Sequence, residues 1–438
     1  VELSESVAQV LTQIRDSGIN YLDLQFTDII GLVKSVRIPA RQVETALKHG
    51  IWFDGSAIEG FARVAESDMY LRPDLETFAI LPWESGRLGR LVCDVYTPAG
   101  EPSPSDPRGV LRRALEHAAK LGYRYLVAPE LEFFLLTQPQ NIESLQAADR
   151  LSYFDSGATH EVVTQMTDAL DSMGIHVDAG HHEVGGGQYE LDFEPLDALS
   201  MADAIMTARL TVKTIAQKNG MFATFMPKPI AGVAGSGMHV HQMLMDFRTD
   251  TNSFANSESD LSPSGRSFVA GQLAHARAMC AVLAPLVNSY KRLVSGLEAP
   301  VDVTWAHLNR SALIRVPRIN ADEARAMRIE LRCVDPSCNP YLALAVMLRA
   351  GLDGIEKRLE LPDPAEEELY SYHSRRRMLT MLPTSLYEAL GAMEDSDLVS
   401  SALGLNTFER FLEAKRIEWN EYALQISPWE LSRYLAHY

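Results

Sequence analysis

Residues 128–136 read APELEFFLL, a stretch in which everything but Glu130 and Glu132 is apolar or proline. A run this apolar belongs in a protein interior, and its β-branched, aromatic and leucine-rich neighbourhood reads as a strand. In a strand, residues i and i+2 share a face, so both glutamates project together while Leu131 and Phe133 pack behind them. Two adjacent carboxylates repel, and burying them unpaired is costly. Either the strand lies at a solvated edge or a cation sits between the two groups. That choice decides what kind of chain this is.

Other segments repeat the pattern. HHEVGGGQYELDF (181–193) supplies Glu183 and Glu190, GSGMHVHQ (235–242) supplies His239 and His241 two residues apart, and MRIELR (327–332) supplies Glu330 between Arg328 and Arg332. Each is weak alone, since a strand histidine is more often a structural hydrogen-bonding group. Four strand-like segments presenting acids or imidazoles to one face suit a divalent-metal site. Carboxylates outnumber imidazoles and no cysteine is placed to help, which favours Mg²⁺ or Mn²⁺ over structural zinc. Arg328, Glu330 and Arg332 alternate, so a metal ligand is expected between two guanidinium groups. Arg292, Arg310 and Arg315 add further forks among Leu, Ile, Val and Pro. Such a lined cleft fits phosphates and carboxylates. There is no GxxxxGK[ST] loop and no GxGxxG after a strand, so a nucleotide must be held by metals and arginines.

The totals are compatible. With 40 Lys and Arg against 58 Asp and Glu, the net charge of −18 disfavours nucleic acid and anionic membrane surfaces. The length of 438 residues predicts two or three domains. Four cysteines without a CxxC pair read as a reduced, cytoplasmic protein. The first residues form an amphipathic helix pattern rather than a signal peptide, and no apolar run reaches the roughly 18 residues of a membrane span. Residues 21–39 read as a hairpin turning at DIIG, and a helix follows at 40–49. Prolines 102, 104 and 107 suggest a boundary, giving a small domain over 1–102 and a larger one over 103–438. Helices are expected at 107–121, 158–173, 200–219, 266–290, 341–357, 384–393, 396–402 and 406–427, with 246–265 an exposed loop. The class is α+β, a mainly antiparallel sheet backed by helices.

The stretches FTDIIG, WFDGSAIEGF, ESDMYLRPD, PELEFF, HHEV, GQYE, TFMPKP, GSGMH, NSYKRLV, NRSALIRVP, IELR, DPSCNPYLAL and SPWELSRY, in this order, resemble type I glutamine synthetase along nearly the whole chain. The resemblance implies ATP-dependent ligation of glutamate with ammonia, an N-terminal β-grasp domain and a catalytic domain around a curved antiparallel sheet. It also implies a homo-dodecamer of two stacked hexamers with active sites between subunits. By matching position it implies that Glu132, Glu183 and Glu190 hold one metal, and Glu130, His239 and Glu330 the other. Gly235, Arg292, Glu298 and Arg332 would take glutamate. Asp178, His241, Met243, Arg310, Arg315 and Arg328 would take ATP and the transferred phosphoryl group. Asp54, from a neighbouring subunit, would bind ammonium with Tyr153 and Glu183, and Glu298 would close over the intermediate.

The chain departs from the family pattern at Ala234 (commonly Asn), Met243 (Ser), Asp178 (Glu), Leu297 (Tyr) and Tyr189 (variable). No charged catalytic group is lost. The short region 366–383, with Tyr370 and Tyr372 in a poorly matching context, resembles the unmodified subgroup, in which Arg63 would link product feedback to the site. Rival readings are a γ-glutamyl ligase for a polyamine or ethanolamine, a non-catalytic ring protein, and a two-metal phosphohydrolase. Retention of Asp54 and Asp68 argues against the first and retention of all six metal-type residues against the second; dependence of phosphate release on both glutamate and ammonium would exclude the third.

Overall fold

The computed structural model describes residues 5–58, 68–84, 87–137, 145–256, 260–296, 299–318, 324–366 and 379–438. Arg63, Leu297, Glu298, Tyr370 and Tyr372 lie outside them. The chain opens with α1 (Glu5–Asp16), β1 (Tyr21–Thr27), β2 (Val33–Pro39), α2 (Val43–His49), β3 (Ile51–Asp54), β4 (Asp68–Pro73), β5 (Ala79–Ile80) and β6 (Leu88–Tyr96). These form one sheet in the order β2-β1-β6-β4-β3, with β5 on β6. It is the expected β-grasp: β1 and β6 run parallel at its centre, and the hairpin β1–β2 is antiparallel. Alternation is not visible in the burial of β1, because every residue from Leu22 to Thr27 is buried. Asp23 and Gln25 are buried along with Leu22, Leu24 and Phe26, and Asp23 is satisfied by its cross-strand partner Arg37 at 2.7 Å. Val10, Ile14, Val43, Leu71 and Leu91 close a separate small core against the two helices.

Then follow α3 (Pro107–Lys120), β7 (Tyr123–Thr137), α4 (Ala158–Asp171), β8 (Val177–His182), β9 (Gln188–Phe193), β10 (Leu196–Asp197), α5 (Ala198–Lys218), β11 (Met221–Thr224) and β12 (Met238–Asp246). Next come α6 (Pro263–Leu283), α7 (Ser289–Arg292), β13 (Trp305–Ala306), β14 (Ile314–Arg315), β15 (Ile329–Leu331) and α8 (Pro340–Lys357). The last helices are α9 (Leu386–Glu394), α10 (Asp397–Leu403), α11 (Leu405–Ala423) and α12 (Pro428–Tyr434). The second sheet runs β13-β14-β15-β12-β7-β9-β8, with β10 and β11 on the two ends of the 15-residue β7. All its pairings are antiparallel except β13–β14. One face is covered by the helices. Among them α8 is buried nearly all round, capped by Asn339 with Pro340 in its first turn, as an apolar-all-round sequence requires.

Two expectations are corrected. Segment 246–265 is not a simple exposed loop. Phe254 is fully buried, and Asn252 donates from Nδ2 to the carbonyls of Met327 at 2.6 Å and Arg325 at 3.0 Å. One aromatic anchor and one amide that satisfies backbone outweigh the polar composition around them. The single helix expected over 266–290 is two, because Pro285 cannot continue α6.

Candidate active site

The register of the second sheet assembles three cross-strand rows on its open face. Arg315, Glu330 and His241 are successive partners on β14, β15 and β12. His239, Glu130 and Asp192 are successive partners on β12, β7 and β9. Glu132, Glu190 and His181 are successive partners on β7, β9 and β8. Directly opposed residues approach within side-chain contact, so residues from six strands meet without any loop having to be placed. Leu131 and Phe133, on the reverse face of β7, are fully buried in the core.

This face floors a cavity of about 680 Å³ reached by Tyr153, Glu183, Gly235, Arg292, Arg310 and Arg332. A second cavity of about 540 Å³ is lined by Asp178, His241, Met243, Arg325 and Arg328. Glu130 and Asp192 border both. Asp178 reaches the second cavity from a β-bulge, where the register of β8 slips between Val177 and Ala179, a device that re-aims a side chain.

Glu130 Oε2 lies 2.9 Å from His239 Nδ1, and its Oε1 lies 2.8 Å from His241 Nε2. Burial opposes ionisation of Glu130, but the two imidazoles hold its carboxyl far below the ordinary range. Glu330 is fully buried between Arg315, at 2.9 Å, and Arg332. The sequence expectation of Arg328 and Arg332 flanking Glu330 is therefore half right. β15 ends at Leu331 and begins at Ile329, and Arg328 lies in the second cavity instead. Strand alternation names residues on one face but not which neighbouring strand supplies the closer charge.

Glu132 accepts from Gln188 Nε2 at 2.8 Å, and Glu190 lies 3.2 Å from His181 Nε2. Burial, followed by repulsion from Glu132, Glu130, Asp192 and Glu183, pushes Glu190 up to about 11. A carboxylate held neutral by its own neighbours marks a cluster built for positive charge that the chain does not supply. Ligand atoms of Glu130, Glu190 and His239 lie within 4.8 Å of one another, as do those of His181, Glu183 and Glu190. Two such groups sharing Glu190, rich in oxygen with some imidazole, fit Mg²⁺ or Mn²⁺.

Arg292 is buried and spends its donors on the carbonyls of Arg332, Cys333 and Val334 at 3.0–3.2 Å. It fits because residue 237 is glycine. A Cβ there would stand 2.4 Å from Arg292 Nη2 and 3.1 Å from Glu132 Oε1. Tyr153 is exposed, stacked on Phe154 at 4.0 Å, and faces the edge of His181. Asp54 is not among the residues that line the cavity of its own chain. It is exposed at the end of β3, accepts from Ser56, and lies opposite Asp68 on β4. Hydrogen bonds from Ser56 hold its carboxyl below the usual range.

Sequence reasoning missed His181, Gln188 and Asp192, all of which line the main cavity. A signal existed. Gln188, Glu190 and Asp192 alternate along one strand, and His181 stands two residues before Glu183.

Residues 18–98 match the family described as glutamine synthetase, beta-grasp domain, and 104–434 match glutamine synthetase, catalytic domain. The chain is 47% identical to a glutamine synthetase of Thermus thermophilus, covering 98% of this chain and 99% of the relative. It is 45% identical to one of Clostridium saccharobutylicum, covering 98% of each. Among solved structures, one titled GmaS/ADP complex superposes with a TM-score of 0.89 at 31% identity, covering 98% of this chain and 99% of that one.

Proposed function

Since the chain belongs to the glutamine synthetase family and ligates glutamate with ammonia to give glutamine, we propose that it does so through a γ-glutamyl phosphate formed on the open face of the second sheet. The observation that carries this reading is the junction of the two cavities at Glu130 and Asp192. A carboxylate substrate in the arginine-lined cavity and a nucleotide tail entering from the other would meet over the three rows.

A carboxylate oxygen leaves poorly, so the γ-carboxylate of glutamate must first take the γ-phosphoryl group of ATP. Arg332 and Gly235 border the amino-acid cavity and would orient glutamate, with Arg292 stiffening that wall through its three carbonyl bonds. Arg310 and Arg315 face the same space and would stabilise charge on the phosphoryl group in flight. His241, Asp178, Met243 and Arg328 would seat the nucleotide. Glu132, Glu183 and Glu190 would hold one divalent ion, and Glu130, His239 and Glu330 a second. When bound, such ions neutralise phosphate charge and align its oxygens.

Ammonium is the abundant form at neutral pH and is not nucleophilic. Asp54 would accept its proton, with Tyr153 and Glu183 completing the pocket and Glu298 covering it. Because Asp54 is exposed and does not line its own chain's cavity, it is assigned to the site of a neighbouring subunit, in a dodecamer of two stacked hexamers. The cytoplasm is the proposed location. All four thiols are free and buried, and none of the described helices is long and apolar enough to cross a membrane.

A coupled assay for glutamine formation, omitting each substrate in turn, tests the reading. Phosphate release is expected only when glutamate, ammonium, ATP and a divalent cation are all present. Release without glutamate, or a preference for putrescine over ammonium, overturns it. Asp54→Ala is expected to raise the KM for ammonium, and unchanged turnover at limiting ammonium removes Asp54 from the pocket.

A further inference from the structure

Behind the wall that carries Glu183 and Tyr153 lies a polar cluster that borders neither cavity. Its centre is Asp149, whose carboxylate accepts from Leu151 N–H at 3.1 Å, Gly187 N–H at 2.9 Å, Thr159 Oγ1 at 2.7 Å, Tyr189 Oη at 3.2 Å and His182 Nε2 at 2.9 Å. His182 is fully buried, and its Nδ1 lies 2.6 Å from the carbonyl oxygen of Glu183. Both ring nitrogens face oxygens, so the imidazole bridges Asp149 to the backbone of Glu183. Burial opposes ionisation of Asp149, but donors from Thr159, His182, Leu151 and Gly187 keep its carboxyl below the ordinary range. It therefore serves as acceptor to them all.

The cluster joins two pieces of chain that have no sheet in common. β8 ends at His182, so Glu183 projects from the first residue beyond the strand. Tyr153 sits on the segment before α4. Asp149 pins the start of that segment through Leu151. The carbonyl of His182 accepts from Phe154 N–H at 3.1 Å. Phe154 is held at φ +62°, a left-handed conformation rare outside glycine. Its ring stacks on Tyr153 and stands edge-on to His181 at 4.9 Å. A strained residue persists only where its surroundings over-determine it, and here both the surroundings and the strain adjoin the pocket. Tyr189, the departure from the family pattern that the sequence left unexplained, adds its hydroxyl to Asp149 from the reverse face of β9, next to Glu190.

We propose that Asp149 and His182 form a positioning pair that locks the Glu183 end of β8 to the Tyr153 segment, so that the two walls of the ammonium pocket keep one spacing. The inference rests on the assignment of Glu183 and Tyr153 to that pocket.

Asp149→Asn keeps the shape and removes the charge. His182→Gln leaves one amide to serve two acceptors. Both are measured in the full-length assembled enzyme. Each is expected to raise the KM for ammonium about 10-fold with the KM for glutamate within about twofold, and to weaken Mn²⁺ binding, read by isothermal titration calorimetry, about 10-fold. Thr159→Val removes an Asp149 partner on the α4 side. It is expected to lower the melting temperature and leave the ammonium KM alone. The pair is not a positioning device if both variants that fold keep the wild-type ammonium KM, if glutamate and ammonium KM rise together, or if Thr159→Val raises the ammonium KM as much. Glu183→Gln separates the two levels. If it leaves ammonium KM and Mn²⁺ binding unchanged, the pocket assignment falls and the proposal with it. If it alters them while Asp149→Asn does not, only the positioning role falls.

Discussion

Two clusters of buried charge stand in this chain, and they are built on opposite principles. At the junction of the N-terminal sheet with the helices, Arg108 on α3 is buried and binds Asp203 on α5 through two nitrogens at 2.8 and 3.0 Å. It also binds Asp94 on β6 at 2.6 Å and Asp74 beyond β4 at 2.8 Å. Arg112 repeats the contacts to Asp74 and Asp94 at 3.1 Å, and Tyr341 donates to Asp203 at 2.6 Å. Every charge there has its partner within the chain. On the open face of the second sheet, Glu130, Glu132, Glu183, Glu190, Asp192 and Glu330 meet the guanidinium groups of Arg292, Arg315 and Arg332. Arg315 and Arg332 are engaged by Glu330, and Arg292 by backbone carbonyls. The first cluster is finished by folding. The second is finished by a ligand, and that contrast separates a structural charge cluster from a functional one more surely than burial does, since both are buried.

The largest expected effect comes from neutralising one member of the unfinished cluster. Glu190→Gln removes a proposed ligand of one ion that also lies within 4.8 Å of the ligand atoms of Glu130 and His239, and is expected to cost about 10²–10³-fold in turnover. The same change relieves the repulsion that forces a proton onto Glu190. The metal-free variant is therefore expected to be more stable than metal-free wild type by about 1 kcal/mol. Mn²⁺ should raise the melting temperature of wild type strongly and of the variant weakly. Loss of stability in the metal-free variant, measured by urea titration, would mean that the carboxylate is already satisfied internally and that the two clusters are alike.

At the finished cluster the sign reverses. Arg108→Ala leaves buried Asp203 with no guanidinium partner and leaves Asp94 and Asp74 to Arg112 alone, and is expected to cost about 3–5 kcal/mol of stability. Residual turnover per folded molecule should stay near wild type, because no side chain of the junction reaches either cavity. A cost below about 1 kcal/mol would show that water already serves these carboxylates.

The unequal legibility of the two clusters follows from the same physics. Period-two alternation in APELEFFLL and MHVHQ, and the paired acids of HHEV and GQYE, exposed most of the open-face cluster before any coordinates, because one strand face collects one kind of residue. Helix positions are legible in the sequence pattern, and the caps Asp106–Pro107 and Asn339–Pro340 fix where two of them begin. What stayed hidden was set by register between distant segments. Nothing local says that Arg315 rather than Arg328 meets Glu330, or that His181 stands opposite Glu190. Arg108, Asp94 and Asp203 carry no shared pattern at all, since they lie on a helix, a strand and a second helix and converge only when the lobes pack. Asp149 and His182 were invisible for the same reason. They support the site from behind, where spacing relative to the motif residues carries no information.

The smallest expected effect probes an acid beside the finished cluster. Asp106 caps α3, accepting from Arg108 N–H and Val95 N–H, both at 3.1 Å, and is fully buried. Burial, and then the charge of Asp94, pushes it up to about 7 from an ordinary aspartate value. With Asp106 neutral, the junction is spared a fourth carboxylate charge beside Asp74, Asp94 and Asp203, which already share Arg108. Because the folded value is raised, the stabilising contribution is full below the unfolded value near 4 and is lost as pH rises through about 7. Asp106→Asn has no proton to lose. The stability of wild type minus that of the variant should therefore fall as pH increases, by about 2 kcal/mol between pH 5 and 7, whatever the absolute cost of exchanging one acceptor for an amide. Denaturant midpoints at several pH values measure it. A difference that stays flat across this window would place Asp106 in the ionised state throughout, leaving the junction with an excess negative charge and bringing it closer in kind to the open-face cluster.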